Sequence, residues 1–387
     1  MRAALKQLLG AGSQLDDGQQ LWPREALIEQ ALGLAETLRQ QDCRVIASLL
    51  DNGPAWALID LAAQAAAVVH VPLPLFFSPA QRQHALQTSG ADTLLLPQAL
   101  AQQLGHDGQH ELLLGGQRLA LLSQPGLPGP SEDRPLLPPA CRKITFTSGT
   151  TGMPKGVCLS AEGMLGVAQG LIEAMAPLDI RRHLCALPLA VLLENIAGLV
   201  APLLRGASCI APPLATLGLS GSSSFDPAVF DAALRRHQPD SIILLPQMLR
   251  AWTVHLQLSG QSAPASLKLV AVGGAAVGSK LLGQARAQGI PAYEGYGLSE
   301  GASVQTLNLP HADRPGSAGR PLPHAQLRLA ADGEIELRNR VFLGYAGQSA
   351  PAPDWWPSGD LGLIDADGFV HLSGRKKHLL ITGFGRN

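Results

Sequence analysis

The chain has 387 residues, and its 29 Lys and Arg against 30 Asp and Glu leave a net charge of −1. At about 150 residues per domain, that length accommodates two or three core-bearing units. The composition, 46% apolar and 15% charged, excludes a disordered chain, and the absence of a basic excess argues against nucleic acid as a partner. The 42 glycines and 30 prolines require many turns and exclude a coiled coil. Five scattered cysteines (Cys43, Cys141, Cys158, Cys185, Cys209) form no CxxC pair, which points away from disulfides or zinc and toward a reducing, cytoplasmic compartment. The most apolar tracts, Leu61–Phe77 and Ala186–Leu204, are broken by His70, Pro72 and Pro74 and by Glu194 and Asn195. Neither supplies the ~20 apolar residues of a membrane span.

The N-terminal third alternates helix and strand. Apolar residues at helical spacing predict a helix over Pro23–Arg39, with proline in its first turn. Buried strands are expected at Cys43–Leu50, Val68–Leu73 and Ala91–Pro97, and helices at Pro54–Ala67 and Gln81–Ser89. This alternation predicts a parallel sheet covered by helices on both faces. Residues 123–140, rich in proline, glycine and charge, read as a surface linker. The alternation then resumes with strands at Lys143–Ser148, Ser241–Pro246 and Leu267–Gly274, a helix capped at Asp226 and Pro227, and the strand PAYEGYG. From about Pro315 the texture changes to hairpins turning at Asp332–Gly333 and Asp367–Gly368. The expected architecture is α/β: two parallel-sheet α/β lobes packed together (1–140 and 141–314), a smaller β-rich subdomain (315–374) and a terminal segment (375–387).

The densest chemistry lies in Phe146–Gly156, FTSGTTGMPKG. Three glycines, four hydroxyl side chains and Lys155 follow a strand directly. Glycines let successive amides converge on anionic oxygens, the hydroxyls add donors, and the ammonium adds a point charge. A flexible surface loop is the bland alternative, which the lysine and the preceding apolar strand oppose. It is not a Walker A loop, because G-x-x-x-x-G-K-[ST] is absent.

This loop resembles the signature of the adenylate-forming enzymes: acyl-CoA synthetases, peptide-synthetase adenylation domains and luciferases. Further stretches agree in order: VGGAAV (Val272–Val277) is similar to the glycine turn that holds adenine, and EGYGLSE (Glu294–Glu300) resembles the aromatic-Gly-x-Thr-Glu motif. SGD (Ser358–Asp360) and SGRKKHLLI (Ser373–Ile381) resemble the ribose-binding and hinge motifs. LPLAVLLEN (Leu187–Asn195) is most similar to bacterial fatty acyl-CoA synthetases. Singly, Glu300, Asp360, Arg375 and Tyr296 would read as a helix-start acid, a turn former, a surface charge and a core ring. Their joint order behind the loop argues otherwise.

The resemblance implies a two-step reaction. A carboxylate attacks the α-phosphorus of ATP, giving an acyl-adenylate and pyrophosphate; a thiol of CoA or a carrier protein then displaces AMP. Thr147, Ser148, Gly149, Thr150, Thr151, Gly152 and Lys155 would embrace the β- and γ-phosphates. Glu300 would ligate Mg²⁺, with Ser299 standing where the family usually has threonine. Gly273, Gly274, Ala275, Glu294, Gly295, Tyr296 and Gly297 would surround adenine, with Tyr296 stacked on it. Asp360 would hold the ribose hydroxyls and Arg375 would reach ribose and phosphate. For the acid, Val191, Leu193, Glu194, Met248 and Leu298 are the candidate pocket, with Val191 where fatty acyl relatives often carry histidine. Glu194 reads equally as a structural acid. Lys377 occupies the hinge position beyond which relatives carry a small C-terminal domain, so the chain reads as the large N-terminal part, with weak turnover expected. The function implied is ligation of an acid, aliphatic in the leading reading, to a thiol. An acyl-AMP ligase serving a carrier protein or closing a lactone, and a non-catalytic nucleotide or acyl sensor, are the alternatives.

Overall fold

In the computed structural model, the described residues are 1–106, 110–123, 135–147, 153–221, 224–338, 341–348, 352–376, 381–382 and 385–386. Two large sheets and one small one organise them. The first large sheet runs, edge to edge, Phe342–Tyr345, Lys155–Ser160, Cys141–Thr147, Val69–Pro72, Val45–Ser48, Thr93–Pro97, Gln117–Ser123 and His110–Leu114. Its centre is parallel and its flanks antiparallel. Side chains alternate between two buried faces: Ile46, Leu95 and Leu121 enter one core, while Val45, Ala47, Leu94 and Leu96 enter another. That two-sided burial is why these strands read as continuous apolar runs.

The second sheet has nine strands, ordered Arg320–Pro321, Ser303–Leu307, Ala292–Leu298, Leu269–Val272, Ser241–Leu244, Arg182–Leu184, Ser208–Ile210, Gln14–Asp16 and Leu21–Pro23. Its central strands are parallel. Helices Ala161–Ala174, Pro227–His237, Pro246–Ser259 and Ser279–Ala287 contribute to its core around Phe230 and Trp252. Asp226 caps the second of these, accepting from the amides of Ala228 and Val229, as a residue before an N1 proline should. The β-rich subdomain is a four-stranded antiparallel sheet, Leu327–Leu329, Glu334–Arg338, Trp355–Ile364 and Val370–Arg375. Its turns hold Gly333 (φ 84) and Gly368 (φ 83) at the two expected Asp-Gly pairs.

The expected α/β class, with two sheets and a smaller β-rich part, is the observed one. The expected boundary at 140 is not a boundary between sheets. Strands Cys141–Thr147 and Lys155–Ser160 complete the first sheet, and the N-terminal Gln14–Asp16 pairs in parallel with Ser208–Ile210 of the second. One core therefore joins Leu27, Ile59 and Leu95 with Cys185, Leu199 and Cys209 across the two lobes.

The lobes are also joined by a buried polar network. Lys143, 1% exposed, places Nζ 2.8 Å from Asp60 Oδ1 and donates to Asn195 Oδ1. His70 donates from Nδ1 to Asp60 (2.7 Å) and accepts at Nε2 from Ser48 (2.8 Å). Burial alone would raise the Asp60 carboxyl, but the Lys143 charge and then His70 hold it well below the usual range. Burial depresses His70, against the pull of Asp60, so the folded imidazole stays neutral where the unfolded one, near its ordinary value of about 6.5, takes up a proton. The stability it contributes is present above that value and lost as pH falls through it. Urea denaturation between about pH 7.5 and 5.5 is expected to show a steeper loss for the wild type than for His70→Gln, by up to about 1.4 kcal/mol per pH unit. Parallel pH profiles would refute this.

Candidate active site

The residues singled out for nucleotide chemistry lie on elements from all three sheets. Thr147 and Lys155 face each other across the antiparallel pair Cys141–Thr147 and Lys155–Ser160, so the glycine-rich loop is carried between them. Ser148, Gly149, Thr150, Thr151 and Gly152 lie outside the described residues, as does Lys377. His84 Nε2 is 3.0 Å from the Pro154 carbonyl and so braces the end of the loop from helix Pro79–Ser89.

The strand Ala292–Leu298 positions Glu294, Gly295, Tyr296 and Gly297. Glu294 is buried, and its carboxylate accepts from the Val277 amide (3.0 Å) with Gly278 adding a second backbone contact. It therefore grips the turn holding Gly273, Gly274 and Ala275 from below, and burial raises its carboxyl above the ordinary range. Gly274 takes φ 79 at this turn, a left-handed conformation suited to glycine. At Gly297 a Cβ would overlap the carbonyl of Ser303, so only glycine permits the register shift that occurs between Tyr296 and Gly297. Ser299 and Glu300 follow in a short 3₁₀ turn, and Ala302 (φ 54) and Ser303 (φ 99) hold left-handed conformations immediately after it, a strained pair of the kind found at functional sites.

Asp360 is where the second sheet and the β-rich subdomain meet. Tyr296 donates from its hydroxyl to Asp360 Oδ2 (2.8 Å), and Arg375 Nε lies 2.7 Å from Oδ1. Asp360 is 6% exposed, whereas Arg375 is open to solvent. Burial and then the Asp360 charge push the Tyr296 phenol well above its usual range. The Ser358–Gly359–Asp360 turn is held by Glu334, which accepts from the Gly359 amide (2.8 Å) and pairs with Lys376 (2.7 Å).

Below the Gly273–Gly274 turn and the Tyr296–Ser299 segment lies a cavity of about 190 Å³, walled mainly by aliphatic side chains. Of the candidate pocket residues, Val191, Leu193 and Leu298 line it, whereas Met248 packs in the core from helix Pro246–Ser259. Glu194 stands behind the wall and caps no helix. It opens a π-helical segment, Glu194–Val200, accepts from the Leu187 amide (2.9 Å) and takes a hydrogen bond from His183 Nε2 (2.9 Å). Burial raises its carboxyl. Among the described residues His183, Cys185 and Glu194 form a group with metal-binding atoms in reach of one another, but protein partners already engage each of them.

The glycine turn and the Tyr296–Ser299 segment thus line this cavity from separate elements, and the buried Asp360 is joined to it through the Tyr296 hydroxyl. Residues 17–341 match the family of AMP-binding enzymes. The chain belongs to that family. Feruloyl-CoA synthase of Amycolatopsis sp is 28% identical over 366 residues, covering 87% of this chain and 70% of that protein. The long-chain-fatty-acid–CoA ligase FadD15 of Mycobacterium bovis is 40% identical over 121 residues, 30% of this chain and 20% of that one. The fold is similar to that of O-succinylbenzoate coenzyme A synthetase from Bacillus subtilis in complex with ATP and magnesium ion. Its TM-score is 0.75 at 23% identity, with 100% of this chain and 80% of that one covered. The adenylate-forming resemblance read from the motifs holds. No helix among the described residues is long and apolar enough to cross a membrane.

In this AMP-binding enzyme one neighbour of the site was not singled out from the sequence. Tyr345 donates from its hydroxyl to Glu300 Oε1 (2.7 Å), and its ring face lies 5.2 Å from Lys155 Nζ. Phe342 and Trp356 fix the ring edge-on. Burial and then the hydrogen bond to Glu300 raise its phenol. Its strand, Phe342–Tyr345, pairs directly with Lys155–Ser160, and a Gly-Tyr pair after a hairpin was the faint signal available.

Proposed function

We propose that the chain activates an aliphatic carboxylic acid with ATP, forming an acyl-adenylate and releasing pyrophosphate, and presents it to the thiol of CoA. The observation that carries this reading is the aliphatic cavity opening between the glycine turn and the Tyr296–Ser299 segment, which brings a carboxylate at its mouth up to a nucleotide. Relatives named as CoA synthases and ligases support CoA as the acceptor, but they differ in the acid they take. An aliphatic chain is favoured by the lining, whose one benzenoid ring is Tyr296.

Each step is assigned to side chains of this protein. Lys155, exposed beside Tyr345, neutralises charge on the departing pyrophosphate. Asp360 accepts from ribose hydroxyls, and Arg375 reaches the ribose and phosphate end. Gly273, Gly274, Ala275 and Gly295 offer the flat approach that adenine needs. The carboxylate of Glu300 and the hydroxyl of the adjacent Ser299 would form an all-oxygen donor set of the kind a hard cation takes. Glu300 Oε2 accepts from no described residue, so the set fits Mg²⁺, which when bound neutralises the phosphate oxygens. The protein contributes alignment and charge stabilisation, not a covalent nucleophile. Calorimetric titration with MgATP should show Lys155→Ala weakening binding by about tenfold or more, as expected when a charged contact is lost. A panel of aliphatic and aryl acids should show adenylate formation favouring aliphatic chains. Unchanged MgATP affinity, or a preference for aryl acids, would refute the corresponding half.

A further inference from the structure

The cavity has two chemically different ends. Val272, Gly273 and Tyr296 mark one, at the C-terminal ends of the parallel strands. Ser241, Leu269 and His183 line the other, and register places them together at the N-terminal ends: His183 pairs with Ser241, and Ser241 with Leu269. Arg205 belongs to this far end as well. It closes helix Ala201–Arg205, just before strand Ser208–Ile210, whose first residue pairs with Arg182. Along Ser241–Leu244 the two ends lie about 10 Å apart at ~3.3 Å per residue.

Arg205 is the one residue of the described lining that carries a full charge at neutral pH, and its Nη1 is buried with no hydrogen-bond partner among the described residues. Asp179 feels its field but gives its carboxylate to Arg181 at 2.9 and 3.1 Å. The other polar groups at this end are spent. His183 uses Nε2 on Glu194 and Nδ1 on the hydroxyl of Ser241 (2.8 Å). Arg205 Nη1 is therefore the donor without a described partner at the far end of a mainly aliphatic cavity. The other buried polar atom of the lining without a described partner, Ser303 Oγ, belongs to the nucleotide end, since Ser303 pairs with Leu298.

We propose that Arg205 receives a second carboxylate at the distal end of the acyl chain, so that the preferred acids are α,ω-dicarboxylic with an aliphatic middle. This rests on reading the cavity as the acyl site. A guanidinium matches a carboxylate with a pair of parallel N–H donors; a methyl-ended chain of the same length offers it no acceptor and leaves Nη1 unpaired. The orphaned donor supplies the selectivity, because a site built around a polar group rejects the analogue that lacks it.

The test uses the full chain and acyl-sulfamoyl adenosines, stable mimics of the acyl-adenylate, ending in carboxylate or methyl at matched lengths, titrated by calorimetry. The carboxylate-ended mimic is expected to bind about tenfold or more tighter than its methyl-ended partner at one chain length. Arg205→Met should reverse that order, Arg205→Lys should retain part of it, and neither should alter binding of sulfamoyl adenosine without an acyl chain. Equal or better binding of the methyl-ended mimic by the wild type overturns the inference. A loss in Arg205→Met that is equal for both mimics overturns it too. If no acyl chain improves on sulfamoyl adenosine alone, the acyl-site reading falls, and the inference with it.

Discussion

Lys143→Met is expected to lower the unfolding free energy by about 3–5 kcal/mol, the cost of leaving a buried charge without its partner. Asp60 lies 3.0 Å from Lys143 through Oδ2, and both side chains are essentially sealed from solvent. Removing the ammonium leaves a carboxylate held by His70 and Asn195 alone. Surface ion pairs such as Arg2–Glu29, exposed on both sides, should lose little on the same truncation. A double variant, Lys143→Met with Asp60→Leu, removes the stranded charge and should recover much of the loss, giving a strong coupling in the cycle. Guanidinium denaturation of the four proteins measures it. A single-variant cost below about 1 kcal/mol, or simple additivity, would show the pair to be energetically idle. The consequence reaches the site: Lys143 lies on the strand that carries Thr147, and Asn195 lies in the π-helical segment behind the cavity wall.

That network also marks the limit of what sequence reading reaches. The Gly273–Gly274 turn and the Asp-Gly hairpins are local features, each a few residues long with its own backbone requirement, and they were legible. So were the parallel strands, because two-sided burial writes itself as unbroken apolar runs at Val45–Ser48 and Ser241–Leu244. Contacts between distant residues were not. Lys143 and Asp60 are separated by 83 positions, Tyr345 and Glu300 by 45, and no local pattern announces either pair. The boundary at 140 failed for the same reason, since the strands that cross it choose partners by register and core packing, not by chain order. Met248 shows a further gap: an apolar residue on a helix has the same sequence signature in a cavity wall as in a filled core, and here it lies in the core. Arg205, at a helix end, reads as an ordinary C-terminal cation until the cavity beside it is seen.

Asp360→Ala is expected to weaken nucleotide binding by at least about a hundredfold, the loss of two charge-assisted hydrogen bonds at about 1.5–3 kcal/mol each. Its carboxylate now takes one donor per oxygen, from Tyr296 and from Arg375. An ionised carboxylate has about four acceptor positions, so two remain for a pair of ribose hydroxyls without breaking the bonds that fix it. This geometry makes the prediction separable from mere disruption. The wild type should bind 2′,3′-dideoxy-ATP about as weakly as Asp360→Ala binds ATP, while the variant should hardly distinguish the two nucleotides. The variant also strands the buried Tyr296 hydroxyl, at about 1–3 kcal/mol of stability; adding Tyr296→Phe should restore stability without restoring affinity. If the variant still discriminates between ATP and its dideoxy form as the wild type does, the ribose hydroxyls are held elsewhere, and the buried acid between the second sheet and the β-rich subdomain serves only to join them.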